Sequence, residues 1–298
     1  MELRTATDRE IASQPQMWAR GLEFTDRVRD LLIAPGERVL AIGCGTSAFV
    51  SQVYAHLREN AGFGETDWAL ASEMPTRRRY DRVIAITRSA TTTEVVDALA
   101  ALAPGARRIG VIAVPGQRID DYLDDRILLD WADETSVVQT RFPTTLITMI
   151  RAAVGQDVSA SIAQCEAAVV DPLPVVASDF DHLVFLGTGW TLGLAHEAAL
   201  KTRESAQAWA ESYPAMDYRH GPIAVAGPRS LVWMFGEPPA GLVDDVRATG
   251  ATVVTDSLDP LVQLVRAQRL GVDLAASRGL NPDTPRALSR SVVLTTGN

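Results

Sequence analysis

Two segments of the chain resemble each other. Residues 39–57 read VLAIGCGTSAFVSQVYAHL and residues 183–201 read LVFLGTGWTLGLAHEAALK, and the two align without gaps at an offset of 144 residues. Each copy has an apolar run, then a G-x-G turn, then a helical pattern. This repetition predicts two halves of similar fold, because about 130–140 residues is an ordinary domain size.

Short apolar runs alternate with helical patterns along most of the sequence. Runs rich in Val, Ile and Leu that are joined by helices are typical of buried parallel strands. We therefore expect an α/β fold in which each half is a doubly wound, mostly parallel sheet flanked by helices. The predicted strands are residues 38–42, 82–87, 109–114, 125–129, 183–186, 230–235 and 251–255.

The predicted domains are an N-terminal helical segment, residues 1–33, followed by residues 34–170 and 171–298. Residues 6–32 have a helical pattern with a break at Pro15, and Pro172 and Pro174 interrupt a second helical pattern where the halves join. Proline removes a backbone donor and clashes with the preceding turn, so it marks the end of a helix.

Charge and cysteine content exclude several functional classes. A net charge of −9 and a pI near 5.0 argue against nucleic acid and anionic membranes as partners, because both require a basic surface. Cys44 and Cys165 have no C-x-x-C spacing, and the histidines show no metal-ligand spacing, so we expect no metal site. The mixed-charge start and the lack of an apolar run of about 18 residues predict a cytoplasmic protein.

Five hydroxyl side chains lie within seven residues at the end of the predicted strand 82–87 and just after it, in the stretch RVIAITRSATTTE. A loop that leads from a strand into a helix exposes backbone N–H groups, which together with Ser and Thr hydroxyls can bind an anion. Ser89 and Thr92 are the best candidates for contact with a phosphate. The alternative is helix capping by Thr91 or Thr92, with Glu94 completing a capping box.

A dinucleotide site is a second alternative. Residues 43–48, GCGTSA, match the G-x-G-x-x-G/A fingerprint, which is weak when it stands alone. Support would come from an acidic residue that closes the second strand roughly 20 residues later. Here residues 59–67 have the composition of a polar turn, and Glu73 comes late. On these residues alone, a nucleotide-dependent oxidoreductase remains an alternative to the anion site.

Longer motifs resemble one protein family over nearly the whole chain. They are AIGCGTS, TRSATTTE, ETSVVQTRFPTTLITMI, LGLAHEAALKTRESAQAWAESYPAMDYRHGPIAV, the early EIASQP and the late NPDTPRALSRSVVL. In this order they resemble tandem SIS (sugar isomerase) proteins, including the isomerase domain of glucosamine-6-phosphate synthase. The resemblance implies two tandem SIS domains in a free-standing unit of this type.

The resemblance implies one sugar-phosphate site per chain. The implied phosphate-binding residues are Ser47, Thr87, Arg88, Ser89 and Thr92. The backbone near Val137 would lie beside the sugar. Arg88 replaces a glutamine of the family, Ala90 and Thr91 replace a Gly-Glu pair, and residues 236–241, GEPPAG, carry no hydroxyls at the equivalent turn of the second half.

The implied catalytic residues are Glu204, Lys201 and His220. Glu204 would move a proton between C1 and C2, Lys201 would stabilise the enediolate, and His220 would open the sugar ring from a neighbouring subunit. Taken alone, Lys201 and Glu204 also fit a solvated pair, and His220 also fits a turn.

The last implied binding residues are Ser289 and Arg290, near the end of the chain. Arg290 replaces a lysine of the family that forms an imine with the ketose. A guanidinium stays protonated and cannot form an imine, although it can still bind an oxyanion.

These residues predict an aldose–ketose isomerase or an amino-sugar-phosphate deaminase or deglycase that acts through an enediolate or enamine. We expect no cofactor, no metal, and a homodimer with shared active sites. The alternative from another class is a non-catalytic phosphosugar sensor, which the loss of the tail lysine favours.

Overall fold

The computed structural model describes residues 5–294, which form two parallel sheets flanked by helices. The strands are β1 Val39–Gly43, β2 Thr66–Leu70, β3 Arg82–Thr87, β4 Arg107–Ile112, β5 Asp125–Leu128, β6 His182–Gly187, β7 Trp209–Pro214, β8 Ser230–Met234 and β9 Thr252–Val254. The helices are α1 Ala6–Ala12, α2 Gln14–Leu32, α3 Thr46–Asn60, α4 Thr93–Ala101, α5 Arg141–Ala153, α6 Ser159–Ala168, α7 Thr191–Ala206, α8 Leu242–Ala248 and α9 Pro260–Ser277. The prediction of an α/β fold with parallel sheets is confirmed.

The strand order is similar in the two sheets. The first is β2-β1-β3-β4-β5 and the second is β7-β6-β8-β9, and the neighbouring strands run parallel throughout. In each sheet the first strand in sequence is interior, the second lies at an edge, and the third pairs with the free side of the first. Successive strands are thus added on opposite sides of β1 and of β6, which makes a switch point in each sheet.

The sheets belong to two compact units with interleaved sequence ranges. The five-stranded unit contains residues 16–134, 141–158 and 289–294, and the four-stranded unit contains residues 5–15, 135–140 and 159–288. The helical pattern at residues 6–32 divides into α1 and α2, so the break predicted at Pro15 falls just before it, at Ser13.

The interior strands match the sequence prediction, whereas two edge strands were missed. Every residue of β1 and β3 is buried, as expected for strands covered by helices on both faces. In contrast, Thr66 is the only buried residue of β2 and Trp68 and Leu70 are exposed, while β7 contains Glu211 and Ser212. Edge strands need only a partial apolar pattern, and the predicted polar turn, residues 59–67, includes the first two residues of β2.

Arg58, near the end of α3, is fully buried and donates hydrogen bonds to two loops of the five-stranded unit. Its Nε atom donates to the Ile33 carbonyl at 2.6 Å, and its two Nη atoms donate to Thr66 Oγ1 at 2.7 Å and to the Ala34 carbonyl at 2.5 Å. Its other bonds reach the carbonyl oxygens of Glu37, Phe63 and Gly64. Burial lowers the pKa of Arg58, and these acceptors offset the cost of burying its charge.

Packing between α7 and α9 forms much of the four-stranded unit. A Cβ atom at Gly271 of α9 would lie 2.9 Å from Ser205 Oγ of α7, so the two helices approach closely at that point. Across the sheet, His182 of β6 contacts Ser230 Oγ of β8 at 2.9 Å and Glu211 of β7 at 3.0 Å. None of the helices within residues 5–294 has the length and apolar character needed to cross a bilayer.

Candidate functional site

The hydroxyl loop, residues 87–92, lies between the carboxyl end of β3 and the start of α4. β3 pairs with β1, and the carboxyl end of β1 leads through residues 43–47 into α3. The two loops therefore flank the switch point of the five-stranded sheet. In open parallel sheets, ligands bind in the crevice at this position.

Three hydroxyl groups of this loop converge on one oxygen atom of the tail, residues 289–294. Ser89 Oγ and Thr91 Oγ1 donate to Ser291 Oγ at 3.1 and 2.9 Å, and Thr92 Oγ1 lies 3.3 Å from the same atom. The loop turns at Ala90, which is buried and left-handed with φ of 60°. This backbone presents the hydroxyls to a single oxygen.

The hydroxyls of this loop do not cap α4. Thr92 is the N-cap residue, but its side chain makes no capping hydrogen bond, so the capping box considered with Glu94 is not formed in the described chain. The negative charge of Glu94 acts instead on Cys44. Burial, and then this charge, raise the pKa of the Cys44 thiol to about 11.

Ser47 and Thr87 are buried at the carboxyl ends of β1 and β3. Within residues 5–294 neither hydroxyl has a hydrogen-bond partner. Ser47 can lie this close to the end of β1 because residue 43 is glycine. A Cβ atom at Gly43 would lie 2.5 Å from the backbone carbon of Ser47. The repeat has the same feature, because a Cβ at Gly187 would lie 2.3 Å from the carbonyl oxygen of Thr191.

Both predicted cations of this site have carboxylate partners. The buried guanidinium of Arg88 lies 3.8 Å from the Glu134 carboxylate, and its Nη2 donates to the carbonyl oxygen of Arg290 at 3.2 Å. Arg290 in turn donates to both carboxylate oxygens of Asp133 at 2.5 and 2.6 Å. The four side chains have no net charge, so an anion here would depend on hydroxyl and amide donors.

The tail continues along the start of α4. Ser289 Oγ donates to the Ser291 carbonyl at 2.8 Å, Thr93 N–H donates to the Val292 carbonyl at 3.1 Å, and Leu294 N–H donates to Thr93 Oγ1 at 2.9 Å. These contacts hold the tail beside the hydroxyl loop. Sequence reasoning considered Thr91 only as a helix cap and assigned no role to Asp133, Glu134 or Ser291, although the hydroxyl of Ser291 was a usable signal.

In the four-stranded unit, α7 carries the predicted catalytic pair. Lys201 Nζ lies 2.5 Å from Glu204 Oε2 and 3.6 Å from Glu197 Oε1. The side chains of Lys201 and Glu197 are 3% and 2% exposed and that of Glu204 is 18% exposed. A solvated surface pair, the alternative interpretation, is therefore excluded. The arrangement leaves one carboxylate accessible beside a buried ammonium group.

His220 occupies a different environment. It ends the short 3-10 turn Asp217–His220, precedes Gly221 with φ of 136°, and is exposed. No hydrogen bond or ion pair of the described residues joins it to Lys201 or Glu204. The structure thus brings Lys201 and Glu204 together and leaves the His220 ring free of both.

The loop Thr135–Thr140, which contains Val137, is held by the N-terminal segment. Glu10 is buried and its Oε1 accepts from the N–H groups of Thr135 and Ser136 at 2.5 and 3.3 Å. Val137 N–H points to the carbonyl oxygen of Asp283 at 3.5 Å. Sequence reasoning missed Glu10 and Asp283 as residues that fix this backbone.

The equivalent turn of the four-stranded sheet differs chemically from the hydroxyl loop. A cleft of about 450 Å³ lies there, lined among others by Glu237, Thr255 and Asp256. The carboxylates of Glu237 and Asp256 would repel the negative charge of a phosphate. Thr191 Oγ1 is engaged by the Thr188 amide at 2.8 Å, within its own turn. Among residues 5–294 no cluster of three or more His, Cys, Asp or Glu side chains could hold a metal ion.

Comparison with known proteins finds relatives over almost the whole chain. No protein-family model matches. The glutamine–fructose-6-phosphate aminotransferase (isomerizing) of Methanothermobacter thermautotrophicus is 28% identical over 339 residues, covering 96% of this chain and 57% of the relative. The chain thus spans little more than half the length of this curated relative.

Solved structures have the same architecture. Glucosamine-6-phosphate deaminase from Thermotoga maritima superposes with a TM-score of 0.81 at 26% identity, covering 97% of this chain and 100% of that one. Tagatose-6-phosphate ketose/aldose isomerase from Escherichia coli superposes with a TM-score of 0.77 at 20% identity, covering 95% and 96%, which shows the fold alone. These similarities fit a family of the SIS type.

Proposed function

We propose that this chain binds a sugar phosphate and acts on it as an aldose–ketose isomerase or an amino-sugar-phosphate deaminase. The observation that carries the proposal is the convergence of Ser89, Thr91 and Thr92 on one oxygen atom at the switch point. Hydroxyls placed in this way suit a phosphate, and they serve no capping purpose. The named activities of the relatives support the same class of substrate.

The proposed phosphate site consists of the hydroxyls of Ser47, Thr87, Ser89 and Thr92 together with nearby backbone N–H groups. The Arg88 side chain is directed to Glu134. We therefore propose that Arg88 contacts the phosphate through its main-chain amide and that its side chain holds the loop. Backbone N–H groups at a helix start bind phosphate without a nearby lysine, which fits an acidic chain.

The proposed chemistry is proton transfer by Glu204. Its carboxylate would take a proton from one of the two carbons C1 and C2 and return it to the other. Lys201 would stabilise the negative oxygen of the enediolate, and the buried carboxylate of Glu197 lies 3.6 Å from its Nζ atom. Proton transfer of this kind requires no metal or organic cofactor.

His220 is proposed to open the sugar ring, and Val137 to contact the sugar through its backbone. The exposed position of His220 fits a residue that serves a neighbouring subunit, so we propose a homodimer with shared sites. We also propose two tandem SIS domains, residues 34–170 and 171–298, behind the helical segment 1–33. The matching strand orders and the equivalent turns at Gly43 and Gly187 support this division.

Calorimetric titration with fructose 6-phosphate and glucosamine 6-phosphate tests the phosphate site. Ser89→Ala and Thr92→Ala should each weaken binding about tenfold, since each removes a hydrogen bond to a charged oxygen. Ser72→Ala, at an exposed position in the same unit, is the matched control. Unchanged affinity in both loop variants would refute the site.

Turnover of the sugar phosphate that binds, followed by NMR, tests the catalytic assignment. Glu204→Gln should lower kcat by at least about a hundredfold while the dissociation constant stays within a factor of three, because general acid–base groups contribute about 10²–10⁴ to rate. Glu166→Gln, on the exposed face of α6, is the control. Full activity of Glu204→Gln would remove that residue from the mechanism.

A non-catalytic sensor is the second candidate. The supporting observation is that the Arg290 guanidinium is engaged with Asp133 and cannot replace a lysine that forms an imine. The same experiments separate the candidates, since a sensor would be stabilised by a sugar phosphate and would leave it unconverted.

A further inference from the structure

We propose that Ser291 of the tail occupies the position of a phosphate oxygen in the hydroxyl loop, so that a bound phosphate must displace it. This inference rests on the proposed phosphate site and adds a mode of regulation to it. The tail would act as an internal competitor that lowers the affinity of the site for small phosphates.

The hydrogen bonds of Ser291 Oγ resemble those expected for an anion. It accepts from Ser89 at 3.1 Å and from Thr91 at 2.9 Å, and Thr92 Oγ1 lies 3.3 Å away. One serine oxygen thus engages the hydroxyls of Ser89, Thr91 and Thr92, and the first and last of these belong to the proposed phosphate site. A phosphate cannot use the same donors while Ser291 remains in place.

A phosphate is the stronger acceptor in this competition. Hydrogen bonds to a charged oxygen are about twice as strong as those between neutral groups. A phosphate oxygen can also accept from all three hydroxyls, whereas a serine oxygen has two acceptor sites. The exchange therefore favours the ligand once it is present at sufficient concentration.

The tail is attached weakly enough to leave. The side chains of Val292, Val293 and Leu294 are 49%, 61% and 60% exposed, so little apolar area is buried when they dock. Apart from Ser291, the tail is held to α4 by two hydrogen bonds of Thr93, those to Val292 and Leu294. Segments with few buried contacts are those that open at low cost.

One side chain anchors the tail at its start. Arg290 donates to both oxygens of Asp133, and its carbonyl accepts from Arg88 at 3.2 Å. This anchor lies directly before Ser291. Release of residues 291–294 is therefore possible while residues 289–290 stay attached, and the tail can dock again after the phosphate leaves.

Affinity measurements on a tail variant test the competition. Binding of inorganic phosphate and of fructose 6-phosphate is measured by calorimetry for the wild type, Ser291→Ala and Val293→Ala. We expect Ser291→Ala to bind both about fivefold more tightly, because the competing hydroxyl is gone. Val293→Ala removes an exposed tail side chain and should match the wild type. Equal or weaker binding by Ser291→Ala overturns the inference.

Hydrogen exchange of the tail gives a readout that does not depend on affinity. Ser291→Ala without ligand should exchange the amides of Thr93 and Leu294 faster than the wild type. Adding phosphate should also make the amides of Thr93 and Leu294 exchange faster in the wild type. Slower exchange on adding phosphate would mean that the tail closes over the ligand, and the inference would then be wrong.

The two proposals fail in different ways. If wild type binds sugar phosphate and Ser291→Ala shows neither tighter binding nor faster exchange, only the competition is refuted. If none of the three proteins binds a phosphate compound, the phosphate site is refuted and the competition with it.

Discussion

Replacing Arg58 by methionine is expected to destabilise the chain by about 4.5 kcal/mol. Three acceptors of its guanidinium are fully buried, namely the carbonyl oxygens of Ile33 and Ala34 and the hydroxyl of Thr66. A buried acceptor that loses its donor costs about 1–3 kcal/mol, and about 1.5 kcal/mol for each gives the stated loss. The remaining carbonyl partners are partly buried, and water can replace the donor there.

Urea unfolding monitored by circular dichroism and tryptophan fluorescence measures this loss. Arg58→Lys keeps the charge but offers a single nitrogen, so we expect about half the destabilisation of Arg58→Met. Arg79→Met, at an exposed position, is the control and should stay within about 0.5 kcal/mol of the wild type. An Arg58→Met protein within about 1 kcal/mol of the wild type, with the same dependence on urea, would refute the reasoning.

Two further predictions concern buried titratable groups. Since burial and then Glu94 raise the pKa of Cys44 from 9.0 to about 11, the native protein at pH 8 should react with Ellman's reagent about a hundredfold more slowly than an ordinary cysteine. Rapid labelling of the native chain would contradict this, and the buried Cys165, whose pKa burial also raises, should react only after unfolding. Burial, and then the charge of Arg203, lower the pKa of His196 below 6.5. The unfolded chain therefore binds the proton more readily, and the stability due to neutral His196 is present above pH 6.5 and is lost as the pH falls below it. Urea unfolding between pH 5 and 7.5 should show a weaker pH dependence for His196→Gln, and an unchanged slope would count against this assignment.

The interior of both sheets was predictable because parallel strands are buried on two faces. β1 and β3 are apolar or buried along their whole length. Short apolar runs of this kind are typical of buried parallel strands. The edge strands β2 and β7 carry no such signal, since one side pairs with a neighbour and the rest meets solvent. Edge position is decided by the tertiary fold, which local composition does not encode.

The candidate site was predictable in its residue types and not in its contacts. The number of hydroxyls after β3 indicated an anion site, and the spacing of Lys201 and Glu204 placed them on one face of a helix. The partner of the hydroxyls, Ser291, is about 200 residues distant in sequence. Likewise the carboxylates of Asp133 and Glu134 determine where the charges of Arg290 and Arg88 are directed, and only the fold brings these groups together.

Gly43, at the end of β1, and Gly187, at the end of β6, fulfil the same steric requirement in the two sheets. Any side chain there would collide with the first turn of the following helix, whether or not a ligand is ever bound. The fold therefore requires these glycines, whereas ligand binding would depend on other residues. The two sheets share this steric requirement, although the GEPPAG turn after β8 carries none of the hydroxyls of the turn after β3.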